Sequence, residues 1–389
     1  MAPGYDVVVV GGGIGGLTVT ALLAARGLST CVLERQSQVG GCVARVEFSG
    51  HEFEPGMGVY TSFGEGEIYD RIFAELPVEV PETSLVTQPY VVRLADGTDV
   101  KLFRDERFID EPAVADLLLR AGLVSPRGPL YAIDGGPATL AERLAESIKR
   151  SGGTVRLDTP VLRLAYDQSG SAIGVDLLSG ERVTAKRAII SNLTIWDTYG
   201  KLIGLNRTPP EVKKLLASLQ GSGAYVVYAT IEESAIQRLP GERMLVATTP
   251  SDGDDDWFSE ITLAVYKGTV TLKSATDVNE WFTYHASEED FEESDQAALE
   301  RFWTKLHRAV PELGSGIEII ETANPRTFYD QTRRKLGMVL GLQPSLGRQS
   351  IEIPLPNVFV VGDTVCPQPD LASVAQTALA LADTLKTKR

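Results

Sequence analysis

The chain is poor in the residues that build disulfide and metal sites. Among its 389 residues are three cysteines and three histidines. Cys31, Cys42 and Cys366 are scattered and lack CxxC spacing, which excludes a disulfide framework and a dithiol or zinc motif. His51, His285 and His307 lie far apart and are read as ordinary surface or core residues, so no metal site is expected. No apolar run approaches the roughly 18 residues that a membrane-spanning helix needs. A basic, apolar leader pattern is missing from the first residues. Basic charge is also scarce: 37 Lys and Arg stand against 52 Asp and Glu, a net charge of −15. Such a surface repels nucleic-acid phosphates and disfavours peripheral contact with anionic membranes. The expectation is a soluble, cytoplasmic protein that acts on a small molecule. The sequence is silent on oligomeric state.

What is present begins at the N-terminus. Residues 5–10 read as a strand whose continuous apolar core, Val7 to Val10, suits a parallel strand covered on both faces. Gly11-Gly12-Gly13-Ile14-Gly15-Gly16 follows, then a helix over 17–26 that Gly27 ends, then a second strand over 30–33 that runs into Glu34. This is the GxGxxG order of a dinucleotide site. Gly11 allows the tight turn, Gly13 lets a pyrophosphate approach the backbone, and Gly16 lets the helix pack on the strand. The helix N-terminus presents free N–H groups to the phosphates. Glu34 is placed to accept hydrogen bonds from ribose hydroxyls.

A second strand–loop–helix pattern lies at the other end. Residues 357–361 read as a strand, Gly362-Asp363 follows, and an Ala- and Leu-rich helix spans about 371–386. Gly-Asp is also an ordinary turn dipeptide. Between the ends, Gly135-Gly136-Pro137 opens an amphipathic helix over 138–150. Strands are expected at 155–157, 161–165, 172–178, 182–185 and 188–191. Residues 77–134 read as irregular, with a helical apolar patch at 114–123. Further strands are expected at 224–231, 244–248, 261–266 and 281–285, with a helix over 290–310. The acidic stretch 251–256 reads as a solvated turn. It lacks the spacing of a calcium loop.

The ordering resembles the amine-oxidase and phytoene-desaturase superfamily of FAD enzymes, and within it carotenoid isomerases and bacterial phytoene desaturases. The resemblance rests on Glu34-Arg35 leading to Gly40-Gly41-Cys42, on Gly135-Gly136, on 324–328 with Gly337, and on 362–383. No second GxGxxG is visible for a pyridine nucleotide, so FAD is the implied cofactor. The implied fold is α/β: a discontinuous Rossmann-type FAD-binding domain (1–76, 135–199 and 326–389) and an α+β substrate domain on an antiparallel sheet (77–134 and 200–325). The implied cofactor contacts are Gly11, Gly13, Ile14, Gly15, Gly16, Glu34, Arg35, Gly40, Gly41, Cys42, Gly56, Met57, Val161, Gly362, Asp363, Leu371 and Ala372. Where the family has a Pro-Gly-Gln-Gly loop, this chain reads Pro367-Gln368-Pro369-Asp370. Asp370 is read either as the N-cap of the last helix or as an acid or base facing substrate. Arg333, Arg334 and Lys335, just before Gly337, are read either as a positive patch near the flavin or, preferably, as a solvated loop. Cys42 and Cys366 are read as ordinary side chains rather than covalent flavin anchors. The resemblance implies dehydrogenation or isomerisation of a small-to-medium organic substrate. An amine or amino-acid oxidase is the alternative, which a cationic substrate at Asp370 would suit. A non-catalytic binder resembling GDP-dissociation inhibitors is a third reading, opposed by the intact Glu34 and Gly362-Asp363.

Overall fold

The computed structural model describes residues 4–88, 90–102, 114, 117, 129–219, 221–248, 257–282, 288–340, 353, 355–368 and 370–387. The acidic stretch 251–256, Pro369 and most of the expected helical patch at 114–123 lie outside them.

Two sheets of seven strands carry the molecule. The first is centred on β1 (Gly4–Val10), whose Val7, Val8, Val9 and Val10 are all buried. β1 runs parallel to β2 (Thr30–Leu33) on one side and to β12 (Arg182–Ser191) on the other. β9 (Thr154–Arg156) extends the parallel array beyond β2. β10 (Val161–Tyr166) and β11 (Ala172–Leu177) fold back antiparallel to reach β12. β18 (Val358–Val360) pairs with β12 in parallel. The chain's last strand thus lies one strand away from its first. The helix Ile14–Ala25 is apolar all round and buried along its length, as a helix covered on every side must be. It packs against the helices Pro137–Arg150 and Leu371–Thr387.

The second sheet has the order β17–β13–β16–β15–β14–β6–β7. β6 and β7 are Tyr90–Arg93 and Asp99–Leu102, β13 is Gly223–Ile231, and β14 is Arg243–Ala247. β15 is Glu260–Tyr266, β16 is Thr269–Thr276 and β17 is Ile317–Ala323. The expected antiparallel pairing holds except between β14 and β6, which are parallel. The period-2 alternation gives each strand two faces. Tyr225, Val227, Leu263, Leu272 and Met244 point into one core, closed by Phe302 and Leu306 of the helix Glu288–Ala309. Ala224, Val226 and Tyr228 point the other way, where Phe53 and Phe48 meet them.

Several expectations need correction. The segment read as irregular contributes β6 and β7 to this sheet, and β5 (Thr83–Leu85) pairs with β8 (Tyr131–Ile133). β16 and β17 were not anticipated. Of the strand expected at 281–285, Trp281 belongs to a short helix, Val278–Trp281, and 283–287 lie outside the described residues. Asp277 caps that helix, accepting from the Asn279 N–H.

Candidate functional site

The glycine loop sits where the strands of the first sheet end. Gly11 turns the chain with φ +99°, and Gly13 is the N-cap of the first helix with no side chain closing it. The first-turn amides are thus left to a ligand. A Cβ on Gly13 would lie 2.6 Å from Asn192 Nδ2, and one on Gly16 would lie 2.3 Å from the Gly11 carbonyl oxygen. Ile14 and Gly15 begin the helix beneath the loop. Gly40 and Gly41 close over it. The Gly40 N–H donates to the Gly12 carbonyl at 2.8 Å, and Gly40 bridges Gly13 as in a parallel pair.

Glu34 is fixed by two amides. Its Oε2 accepts from Gly12 N–H at 2.6 Å and its Oε1 from Gln36 N–H at 2.8 Å. A carboxylate has about four acceptor positions, so capacity for a ribose remains. The Thr159 N–H donates to the Glu34 carbonyl at 2.8 Å, bringing the start of β10 at Val161 to this end of the site. Arg35 is turned elsewhere. Its guanidinium donates to the carbonyls of Asp330 and Gln331 at the end of the helix Pro325–Thr332.

The C-terminal segment arrives from the same edge. Val361 N–H donates to the Ser191 carbonyl at 2.9 Å, and Gly362 follows with φ +133°. Asp363 receives both Nη atoms of Arg334, at 3.2 and 2.5 Å. Arg334 also donates through Nε to the Met338 carbonyl and is largely buried, so the solvated-loop reading of this residue is wrong. Its neighbours Arg333 (φ +55°) and Leu336 (φ +52°) hold left-handed backbone, and Gly337 follows at φ +63°. A Cβ on Gly337 would lie 1.8 Å from the Pro325 carbonyl oxygen. Strain of this kind persists only where the surroundings over-determine it, and here it presents Arg334 to Asp363.

Asp370 precedes the last helix and accepts the Ser373 N–H at 2.7 Å, the hydrogen bond of an N-cap. Leu371 and Ala372 start that helix, and the Leu371 carbonyl accepts from Tyr69 Oη at 2.9 Å. Cys366 is buried and donates to the Gln368 carbonyl at 2.6 Å. Asn192, at the end of β12, lies at the centre of this arrangement. It faces Gly13, Gly15, Gly16 and Gly362, and its N–H donates to the Val10 carbonyl at 2.8 Å. Sequence reasoning passed over it. The available signal was a polar residue directly after the buried strand that pairs with β1.

The opposite wall is formed by residues 54–60 and the second sheet. Glu54 is buried and accepts from Tyr60 Oη at 2.6 Å and Gly56 N–H at 3.0 Å. Burial pushes its carboxyl above the usual range despite Tyr60, Gly56, Arg243 and Lys273, which all pull it down. Met57 is buried with Tyr90, Val92 and Leu245. Phe53 and Phe48 each stand 5.1 Å from the ring of Tyr228. Cys42 is open to water, yet burial is the main influence raising its thiol, with Arg334 and Lys273 opposing. Wetted surface inside dense protein is what the wall of a cavity looks like. Lys273, whose ammonium burial depresses, belongs to the same enclosure.

Residues 113–368 match the flavin-containing amine oxidoreductase family, and 9–76 match an NAD(P)-binding Rossmann-like domain. The chain belongs to the flavin-containing amine oxidoreductase family. A zebrafish (Danio rerio) all-trans-retinol 13,14-reductase is 21% identical over 92% of this chain and 82% of its own. The chloroplastic prolycopene isomerase of Daucus carota is also 21% identical, over 95% and 78%. Among solved structures, an oxidoreductase from Methanosarcina mazei superposes with a TM-score of 0.67 at 16% identity, covering 97% of this chain and 99% of that one. That likeness concerns the fold.

The protein is an FAD enzyme, and the residues present suit the cofactor. The bare cradle of Gly11–Gly16, the closing pair Gly40 and Gly41 and the carboxylate of Glu34 suit the adenosine diphosphate half. Gly362, Asp363 and the start of the last helix suit the remainder. No helix among the described residues is long and apolar enough to cross a membrane, and none of their His, Cys, Asp and Glu residues cluster for a metal.

Proposed function

We propose that this flavoenzyme dehydrogenates, saturates or isomerises conjugated double bonds in a small-to-medium, largely apolar substrate. The observation that carries this reading is the wall opposite the cofactor cradle. Two buried apolar clusters flank it, Phe53, Val226 and Tyr228 with Phe48 on one side and Met57, Tyr90, Val92 and Leu245 on the other. Apolar flanks of this kind suit a hydrocarbon, which they hold by area. FAD, when bound, supplies the two-electron chemistry. The chain's own contribution is to hold the cofactor through Glu34 and the glycine cradle, to fix Asp363 through Arg334, and to exclude water with the apolar wall. The two relatives named above act, by their names, on a retinoid and a carotenoid.

The amine-oxidase reading finds less support. Asp370, the acid that would meet an ammonium, is engaged as a helix cap. The side chains on the sheet wall include the cations Arg243 and Lys273, which repel one. Anaerobic titration of the holoenzyme decides between the two readings. A cis-configured polyene added to the dithionite-reduced enzyme is expected to be isomerised or saturated, as read by chromatography. Flavin bleaching by a panel of amines, with peroxide release on aeration and no change in the polyene, overturns the proposal.

A further inference from the structure

The wall of the second sheet has two cross-strand rows, fixed by register. One runs Tyr228, Thr271, Ala264, Arg243 and the next Val226, Lys273, Thr262, Leu245. Their sequence neighbours Val227, Leu272, Leu263 and Met244 fill the core on the other side. Alternation therefore commits Arg243 and Lys273 to the face that looks toward residues 54–60. The guanidinium is in place there: its Nε lies 3.3 Å from where a Gly58 Cβ would be.

Neither cation has a hydrogen-bonded counter-ion among the described residues. Among the described residues no hydrogen bond or ion pair reaches Lys273 Nζ, and Arg243 Nε is buried without a partner. Tyr90 Oη and Thr271 Oγ1, on the same face, are also buried and unpartnered. The nearby acid is Glu54, and its Oε1 is taken by Tyr60 and Gly56. Two cations thus gather beside Glu54, inside a chain whose net charge is −15. An unpaired charge half-buried against apolar surface is costly to hold. Unfilled polar valences pointing at one space mark a ligand that completes them.

We infer that Arg243 and Lys273 recognise a compact anion, a carboxylate at one end of the substrate, with Tyr90 and Thr271 as additional donors. The arginine fork matches a carboxylate bidentately, and the lysine supplies a second point charge. The apolar part of the substrate then lies along the two hydrophobic flanks, so the substrate is an unsaturated acid rather than a pure hydrocarbon. In its apolar part the inference rests on the proposed function. In its anionic part it stands alone.

The same two cations could serve the cofactor's phosphates, and the experiment separates the two sources. The FAD-loaded full chain is titrated in equilibrium dialysis with decanoate and with 1-decanol, and FAD affinity is measured in parallel. Wild type is expected to prefer decanoate at least tenfold. Arg243→Met and Lys273→Met are each expected to lose about tenfold or more for decanoate, the worth of one charge-assisted contact. Decanol and FAD binding should stay unchanged, and Lys273→Arg should recover part of the loss. Thermal melts establish that the variants are folded. Absence of decanoate binding, equal binding of acid and alcohol, or equal loss of both in the variants overturns the inference. So does loss of FAD with the acid preference intact, which assigns the cations to the cofactor. A tenfold acid preference in an enzyme that leaves polyenes unchanged supports the anion site while defeating the proposed function.

Discussion

Arg334 and Asp363 form a two-pronged ion pair across the cofactor site, 29 residues apart in sequence and mostly buried. The pair matters because Gly362-Asp363 is the proposed C-terminal half of the cofactor cradle. With Arg334→Met the carboxylate is left half-enclosed without its partner. Breaking such a pair by removing one member costs about 3 kcal/mol. FAD affinity is expected to fall by roughly tenfold, since Asp363 is no longer held in one rotamer. Urea unfolding of the apoprotein and FAD titration measure the two effects. Asp363→Asn added to Arg334→Met should restore part of the stability, because the stranded charge is gone. Unchanged stability and FAD binding in Arg334→Met would show the pair to be incidental.

Gly337 is the hinge that makes this pair possible. Its φ of +63° and the 1.8 Å approach of the Pro325 carbonyl to a Cβ leave no room for alanine. Gly337→Ala is expected to cost more than about 4 kcal/mol, at the exceptional end for a point change. Gly66→Ala is the control. Its φ is +75° but nothing lies within 4 Å of the added Cβ, so only the left-handed penalty of about 1–2 kcal/mol applies. Equal losses in the two variants would mean that the clash at Pro325 is relieved by a small backbone shift.

Much of the cofactor side was legible because it is local. The strand 5–10, the loop Gly11–Gly16 and Glu34 lie within one βαβ unit, where spacing alone implies geometry. The Gly12 N–H to Glu34 contact at 2.6 Å follows from that spacing. Asn192, Arg334 and the wall residues were not legible for the opposite reason. Asn192 meets the glycines only because β12 pairs with β1 from far along the chain. Arg334 reads as one of three exposed basic residues until a left-handed kink turns it inward. Lys273 lies on β16, whose Thr-rich alternation was too weakly apolar to be recognised as a strand. β6 joins the sheet through a parallel pairing to β14, which no local pattern announces.

Asp370 illustrates how a departure from a family pattern invites a functional reading that the geometry tempers. Its side chain satisfies the Ser373 amide at 2.7 Å. Asp370→Asn, which keeps an N-capping side chain, is expected to retain wild-type stability and turnover. Asp370→Ala is expected to lose about 1 kcal/mol of stability with little change in kcat. A general acid or base would behave differently, since Asp370→Asn would then cost a factor of about 100 or more in rate. Thermal melts and steady-state kinetics on the two variants distinguish the roles.

Lys273 offers the converse case, a residue that the fold holds at a loss. Burial depresses its ammonium below the ordinary 10.5, against the pull of Glu54 and Cys42. The sign of the linkage follows from this. Below the folded-state pKa the lysine is charged in both states, and folding carries the whole cost of enclosing that charge. Between the folded and unfolded values the unfolded chain binds more protons, so stability rises with pH and the cost disappears above 10.5. Lys273→Met is therefore expected to melt at a higher temperature than wild type at neutral pH. The gap should close as pH approaches 10. A buried lysine that served packing or a hidden ion pair would give the opposite result, a variant less stable than wild type at neutral pH. Melting temperatures of the apoprotein between pH 6 and 10 decide the matter, and they do so without knowledge of the substrate.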